Sequence, residues 1–163
     1  MTGIGDPMQA ALRHLERRAR TVHEVRAHLS GKGFEEEAVA EVLSRLSSMG
    51  YLDDRAYAAR FASWSADERP MGRRRLEQEL AHRGVGRDTI EAVLDETFGP
   101  DQEAEALRKA VSKASRRATA AGARERRRLA SYLLRRGFRP SQVMAAIDAL
   151  AKKVGDPEGE SQE

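Results

Sequence analysis

Three copies of one spaced apolar signature constrain this chain more than any other feature. Val25, Leu29, Gly33, Phe34, Val39 and Leu43 recur as Leu76, Leu80, Gly84, Val85, Ile90 and Leu94. They recur again as Leu129, Leu133, Gly137, Phe138, Val143 and Ile147, offset by 51 and then 53 residues with every internal spacing kept. A chain that repeats its apolar positions at such a period folds as an array of like units. Its function then has to be sought on the surface of the array.

The spacings read as two helices around a tight corner. Val25 and Leu29 are four apart and share a helical face. Gly33 follows four residues later, where a left-handed residue would end the helix, and Phe34 anchors the corner. Val39, Val42, Leu43 and Leu46 resume the helical period. Thr21 and Glu24 fit a capping box at the start of the first helix of the pair, and Pro140 suits the first position of a second helix. A further helix precedes each pair, over residues 8–18, 54–66 and 101–118. No segment alternates in the manner of a strand. The expected fold is therefore all-α: three tandem three-helix repeats forming an elongated, curved array. The repeats are assigned to residues 8–49, 50–98 and 101–153, the last of them basic, with flexible termini at 1–7 and 154–163. The polar end beginning at Gly155 has no periodicity and is expected to be disordered.

Composition narrows the classes of function. No apolar run approaches the roughly 20 residues of a membrane span. The first residues lack a basic start followed by an apolar stretch, so no secretory signal is expected, and a cytoplasmic location follows by default. The chain has no cysteine, which removes disulfides, cysteine-bound zinc and thiol nucleophiles together.

Charge is distributed unevenly. The net charge of +3 conceals −2 over residues 1–100, +9 over 101–154 and −4 over the tail. A basic terminal third points to a polyanion or an acidic protein partner. If Leu129 and Leu133 mark the buried side of their helix, Arg124, Arg127, Arg128 and Arg135 fall opposite, and Arg126 lies near the edge. Arg74 and Arg75 occupy the positions equivalent to Arg127 and Arg128, whereas the first repeat has His23 and Glu24 there. Lys109, Lys113, Arg116 and Arg117 extend the positive charge along the leading helix of the third repeat. Such repetition favours an interaction groove, because guanidinium forks make paired contacts to phosphates and carboxylates.

Catalytic chemistry does not assemble. His14, His23, His28 and His82 lack metal-ligand spacing and are expected to be ordinary surface or edge histidines. Asp53 and Asp54 read as helix capping and dipole compensation. The corner glycines form no phosphate-cradling motif. Tyr57, Phe61 and Trp64, spaced four and three, read as core. No catalytic residue, metal site or cofactor is expected.

The sequence Gly50-Tyr51-Leu52-Asp53-Asp54, followed by Tyr57, Ala58 and Phe61, resembles the signature of the RecX family. Gly72-Arg73-Arg74-Arg75-Leu76 through Glu79-Leu80, then Arg83-Gly84-Val85, is similar to its continuation. Ala11, Leu12, Leu15 and the Glu24-to-Leu29 segment resemble the first repeat of that family, and Arg135-Arg136-Gly137-Phe138 resembles the third. The resemblance implies a non-enzymatic regulator of the RecA recombinase, acting in DNA recombination, DNA repair and the SOS response. Such proteins bind the RecA–DNA filament in its helical groove and inhibit strand exchange and the coupled ATPase. The implied partners are the RecA filament and single-stranded DNA, with double-stranded DNA a further candidate; the implied state is a monomer with no membrane contact. Arg73, Arg74 and Arg75 carry over from the family signature as binding candidates. Two alternatives stay open on the residues alone: an autonomous DNA-binding helical protein, and a helical scaffold for another acidic protein.

Overall fold

A computed structural model describes residues 5–115 and 122–155, the side chains of the last three excepted. The described residues form nine helices and no strand: α1 (Pro7–Arg17), α2 (Val22–Gly31), α3 (Glu36–Ser48), α4 (Asp54–Glu68), α5 (Arg73–His82), α6 (Arg87–Thr97), α7 (Pro100–Ser115), α8 (Ala123–Arg135) and α9 (Pro140–Gly155). They are three successive triplets, so the all-α repeat reading holds. The segment beyond Gly155, expected to be disordered, lies outside the described residues.

Local chemistry explains the helix ends. Gly33, Gly84 and Gly137 all adopt positive φ, at 83°, 80° and 83°. The residue after each glycine donates its N–H to a carbonyl five residues back: Phe34 to Leu29, Val85 to Leu80, Phe138 to Leu133. This closure requires a left-handed residue, which only glycine adopts without a Cβ penalty. At the start of α2, the Thr21 hydroxyl accepts from the Glu24 N–H and the Glu24 carboxylate accepts from the Thr21 N–H, completing the capping box. Asp53 caps α4 by accepting from the Ala56 N–H at 2.9 Å, and Pro140 opens α9.

The chain divides into two compact units, with the divisions falling inside α4, α5 and α6. The first comprises Met1–Phe61 and Gln78–Asp95. Within it α1, α2 and α3 pack on one another around Ala11, Val25, Leu29, Val39, Leu43 and Leu46. Leu80, Val85, Ile90, Val93 and Leu94 are also buried there. The second unit comprises Ala62–Glu77 and Glu96–Glu163, with α7, α8 and α9 packed together. Its buried residues include Leu76, Phe98, Ala106, Leu107, Leu129, Leu133, Phe138, Val143 and Ile147. A leucine as buried as Leu80 or Leu133 is worth roughly 2–5 kcal/mol against alanine.

Each unit contains one joint between successive triplets, and the two joints use equivalent residues. In the first, the Thr21 hydroxyl donates to the Arg83 carbonyl at 2.6 Å, and the Val22 N–H donates to Asp54 Oδ1 at 2.9 Å. In the second, the Gly72 N–H donates to the Arg136 carbonyl at 2.8 Å, and the Arg73 N–H donates to Glu103 Oε1 at 2.9 Å. Donors at the start of one helix are thus satisfied by the next triplet: a corner carbonyl accepts from the Thr21 hydroxyl or the Gly72 N–H, and a carboxylate accepts from the orphan N–H of Val22 or Arg73, which also suits the helix dipole. The corner glycine seats in the same place: a Cβ on Gly84 would overlap His23, and one on Gly137 would overlap Arg75.

Two expectations need correction. Tyr57 is buried, but Phe61 is only half-buried and Trp64 is 46% exposed, so the aromatic stripe is not all core. Arg83 accounts for part of this, since it donates to the Tyr57 hydroxyl at 3.0 Å and lies 4.8 Å from the Phe61 ring centroid. The polar cover on one side leaves the stripe at the edge of the apolar layer. The histidines are also not all ordinary: His14 and His28 stack face to face, with centroids 3.9 Å apart and planes 6° from parallel.

Candidate functional site

All the arginines and lysines proposed from sequence fall in the second unit, apart from two whose placement is not described. They do not form one uniform class. On α5, Arg73 is half-buried, its N–H held by Glu103 and its Nε donating to Glu77 at 3.0 Å. It serves the joint as well as the surface. Arg74 and Arg75 are exposed, although the backbone and Cβ of Arg75 lie against the Gly137 corner.

On α7 the two lysines reach across the surface to the end of α4. Lys109 pairs with Asp67 at 2.7 Å. The bond to Asp67 lifts the ammonium above its ordinary range, and the same bond holds the carboxyl below its own. Lys113 donates to the carbonyls of Asp67 and Glu68, at 3.1 and 2.8 Å. A cation on the last carbonyls of a helix satisfies orphan acceptors and complements the dipole. Arg116 and Arg117 lie outside the described residues.

On α8, Leu129 and Leu133 are buried while Arg124, Arg127, Arg128 and Arg135 are all exposed. Arg126 is exposed as well. None of these makes an ion pair with another described residue, in contrast to Arg73 and Lys109. This helix therefore presents five exposed guanidinium groups against a single acid of its own, Glu125, which suits it to a polyanion.

One buried acid and one half-buried acid hold the joints. Glu103 is 5% exposed and accepts from the Arg73 N–H and from Gln142 Nε2, the latter at 3.3 Å. Asp54, its counterpart in the first unit, is pushed above the ordinary carboxylate range by burial, partly offset by the Val22 N–H. Both are leading-helix residues whose partners lie 30 or more positions away, so no local pattern marks them. Among the described residues, no group of three His, Asp or Glu side chains could hold a metal ion. No described helix is long and apolar enough to cross a membrane.

With this geometry in place, the comparisons with known proteins are specific. Residues 8–46, 53–94 and 101–147 match, in order, the family models of the first, second and third three-helix domains of RecX. The chain belongs to the RecX family. A Regulatory protein RecX of Trichlorobacter lovleyi is 37% identical over 148 residues, covering 88% of this chain and 96% of the relative. One of Halorhodospira halophila is 39% identical over 143 residues, covering 86% and 85%. One of Halalkalibacterium halodurans is 40% identical over 98 residues, which is only 36% of that longer protein. The fold is similar to the crystal structure of RecX from Lactobacillus salivarius, with a TM-score of 0.74 at 21% identity, over 88% of this chain and 94% of that one. A crystal structure of a regulatory protein RecX gives a TM-score of 0.75 at 26% identity, over 88% and 71%. The RecX family match covers all three triplets, including the α5 and α8 segments that carry the arginines.

Proposed function

We propose that this RecX-family chain regulates the RecA recombinase without catalysing a reaction itself. It binds the RecA–DNA filament and restrains strand exchange and the coupled ATP hydrolysis. The supporting observation is the family match across all three triplets, joined to exposed arginines at equivalent positions of α5 and α8. In this reading, Arg74, Arg75, Arg124, Arg127, Arg128 and Arg135 meet DNA phosphates or acidic RecA side chains, and the protein acts as a cytoplasmic monomer. Lys109 and Lys113, engaged at the end of α4, contribute less. The ligand shifts a filament equilibrium only through its different affinity for two filament states.

The test is RecA-dependent ATP hydrolysis on single-stranded DNA as this protein is titrated in. The rate is expected to fall; an unchanged rate at saturating protein would refute the proposal. A second reading, autonomous DNA binding, is favoured by the excess of exposed arginines on α8. It predicts tight, steeply salt-dependent binding to bare DNA, whereas the filament reading predicts tighter binding to a RecA-coated strand. Side-by-side measurement on the two strands separates them.

A further inference from the structure

The first unit holds a basic site that its near-neutral charge conceals. A cleft of about 510 Å³ is lined by Arg13, His14, Arg17, Arg20, His28 and Lys32, and by Phe34 and a single acid, Asp6. Four permanent cations thus meet one carboxylate, and that carboxylate is committed to capping α1 through the Met8 N–H at 2.9 Å. The Arg20 side chain is 16% exposed, and its buried Nε has no hydrogen-bond partner among the described residues. Arg20 has a long ion pair with Glu24 Oε1, at 3.8 Å, but that oxygen is shared with Arg18 at 3.5 Å, and Oε2 accepts from the Thr21 N–H. Among the described residues, Arg13 has only a long contact to Gln9, at 3.4 Å.

Like charges converging on a concave surface repel one another, and a cleft lined by one sign focuses its field on a counter-ion. A buried donor without an acceptor among the described residues calls for a similar explanation. The stacked His14 and His28 complete the lining. Burial is the main cause that holds both imidazoles below their ordinary value. Arg20, His28 and Arg18 add to the effect at His14, and Lys32 and Arg20 at His28; Glu24 alone opposes it, at His14.

We propose that this cleft binds a phosphate group. The guanidinium forks of Arg13, Arg17 and Arg20 match phosphate oxygens, and the volume falls within the range usual for small-ligand sites, roughly 300–1,000 Å³. An anion seated here also compensates proton uptake by the imidazole pair, so binding tightens as pH falls and the bound anion raises both histidines. The site belongs to the first unit, whereas the α5 and α8 arginines belong to the second, and it needs no RecA. The same chemistry is offered by a free phosphate or nucleotide and by the backbone of a nucleic acid strand.

The test follows the imidazole C–H NMR signals of the full chain during titration with sulfate, inorganic phosphate, thymidine monophosphate and a short oligothymidylate. Sulfate keeps its charge across the histidine range and isolates the protein's own titration. His23 and His82, exposed and outside the cleft, serve as internal references. The proposal expects saturable shifts of His14 and His28, a rise in their apparent pKa with bound anion, and unmoved references. It also expects affinity about tenfold weaker in Arg13→Gln with Lys32→Gln, a change of about 1.4 kcal/mol. Saturation by the small anions assigns the site to a free phosphate; saturation by the oligonucleotide alone assigns it to a strand. If all four probes leave His14 and His28 unmoved, or shift all four histidines in parallel, the proposal fails. It fails equally if the double variant, folded by its helical circular dichroism, binds as the parent does.

Discussion

Gly137 offers the sharpest test of the joint between triplets, because Gly50 provides a matched control. The two glycines have nearly the same backbone, φ 83° and 77°, but opposite surroundings. A Cβ on Gly50 meets nothing within 4 Å among the described residues, whereas one on Gly137 lands on the Arg75 Cβ and backbone nitrogen, both 2.5 Å away. Alanine at Gly50 then carries only the left-handed penalty, about 1–2 kcal/mol. Alanine at Gly137 carries that penalty and an overpacking term of about 1–3 kcal/mol, because the obstruction includes backbone. The expected loss at Gly137 is therefore about 2–5 kcal/mol, the sum of those two ranges. Urea unfolding followed by circular dichroism measures both variants, with an unchanged slope confirming that the denatured state is comparable. Gly84→Ala should behave like Gly137→Ala, since His23 occupies the equivalent space. Equal losses at Gly50 and Gly137 would refute the idea that the corner glycine is a seat for the neighbouring triplet.

Two further predictions concern charge. Arg127→Glu with Arg128→Glu should leave helicity intact and weaken DNA or filament binding, lowering the salt slope by about 1.4–1.8 if each arginine neutralises one phosphate; loss of helicity would overturn the surface assignment of α8. The lowered pKa values of His14 and His28 make the unfolded chain bind more protons below its ordinary histidine value of 6.5. Stability should therefore fall as pH drops through that value toward the lowered native ones, and His14→Gln with His28→Gln should flatten the fall. Urea midpoints on either side of the window check this, and an equally steep fall in the double variant would exclude the stack as its source.

What the sequence determined by itself is local or periodic. A glycine four residues after a buried leucine meant a left-handed helix end at positions 33, 84 and 137, because the closure depends on residues within one turn. The buried face of each helix followed from its period, and so did the exposure of Arg127 and Arg128 opposite Leu129 and Leu133. Thr21 and Glu24 announced their capping box for the same reason.

Tertiary structure decided whatever depends on a second helix. It assigned Lys109 and Lys113 to the end of α4, seated Gly84 and Gly137 on His23 and Arg75, and gave Asp54 and Glu103 the same task at successive joints. It left Trp64 exposed although its spacing suited a core. It also stacked His14 on His28, from two helices whose individual patterns show nothing unusual, and gathered around them the cations of the α1 and α2 cleft. A helical period specifies which way a side chain points from its own axis. What it meets there is set by the packing of other helices, and the charge of a site is the sum over all of them.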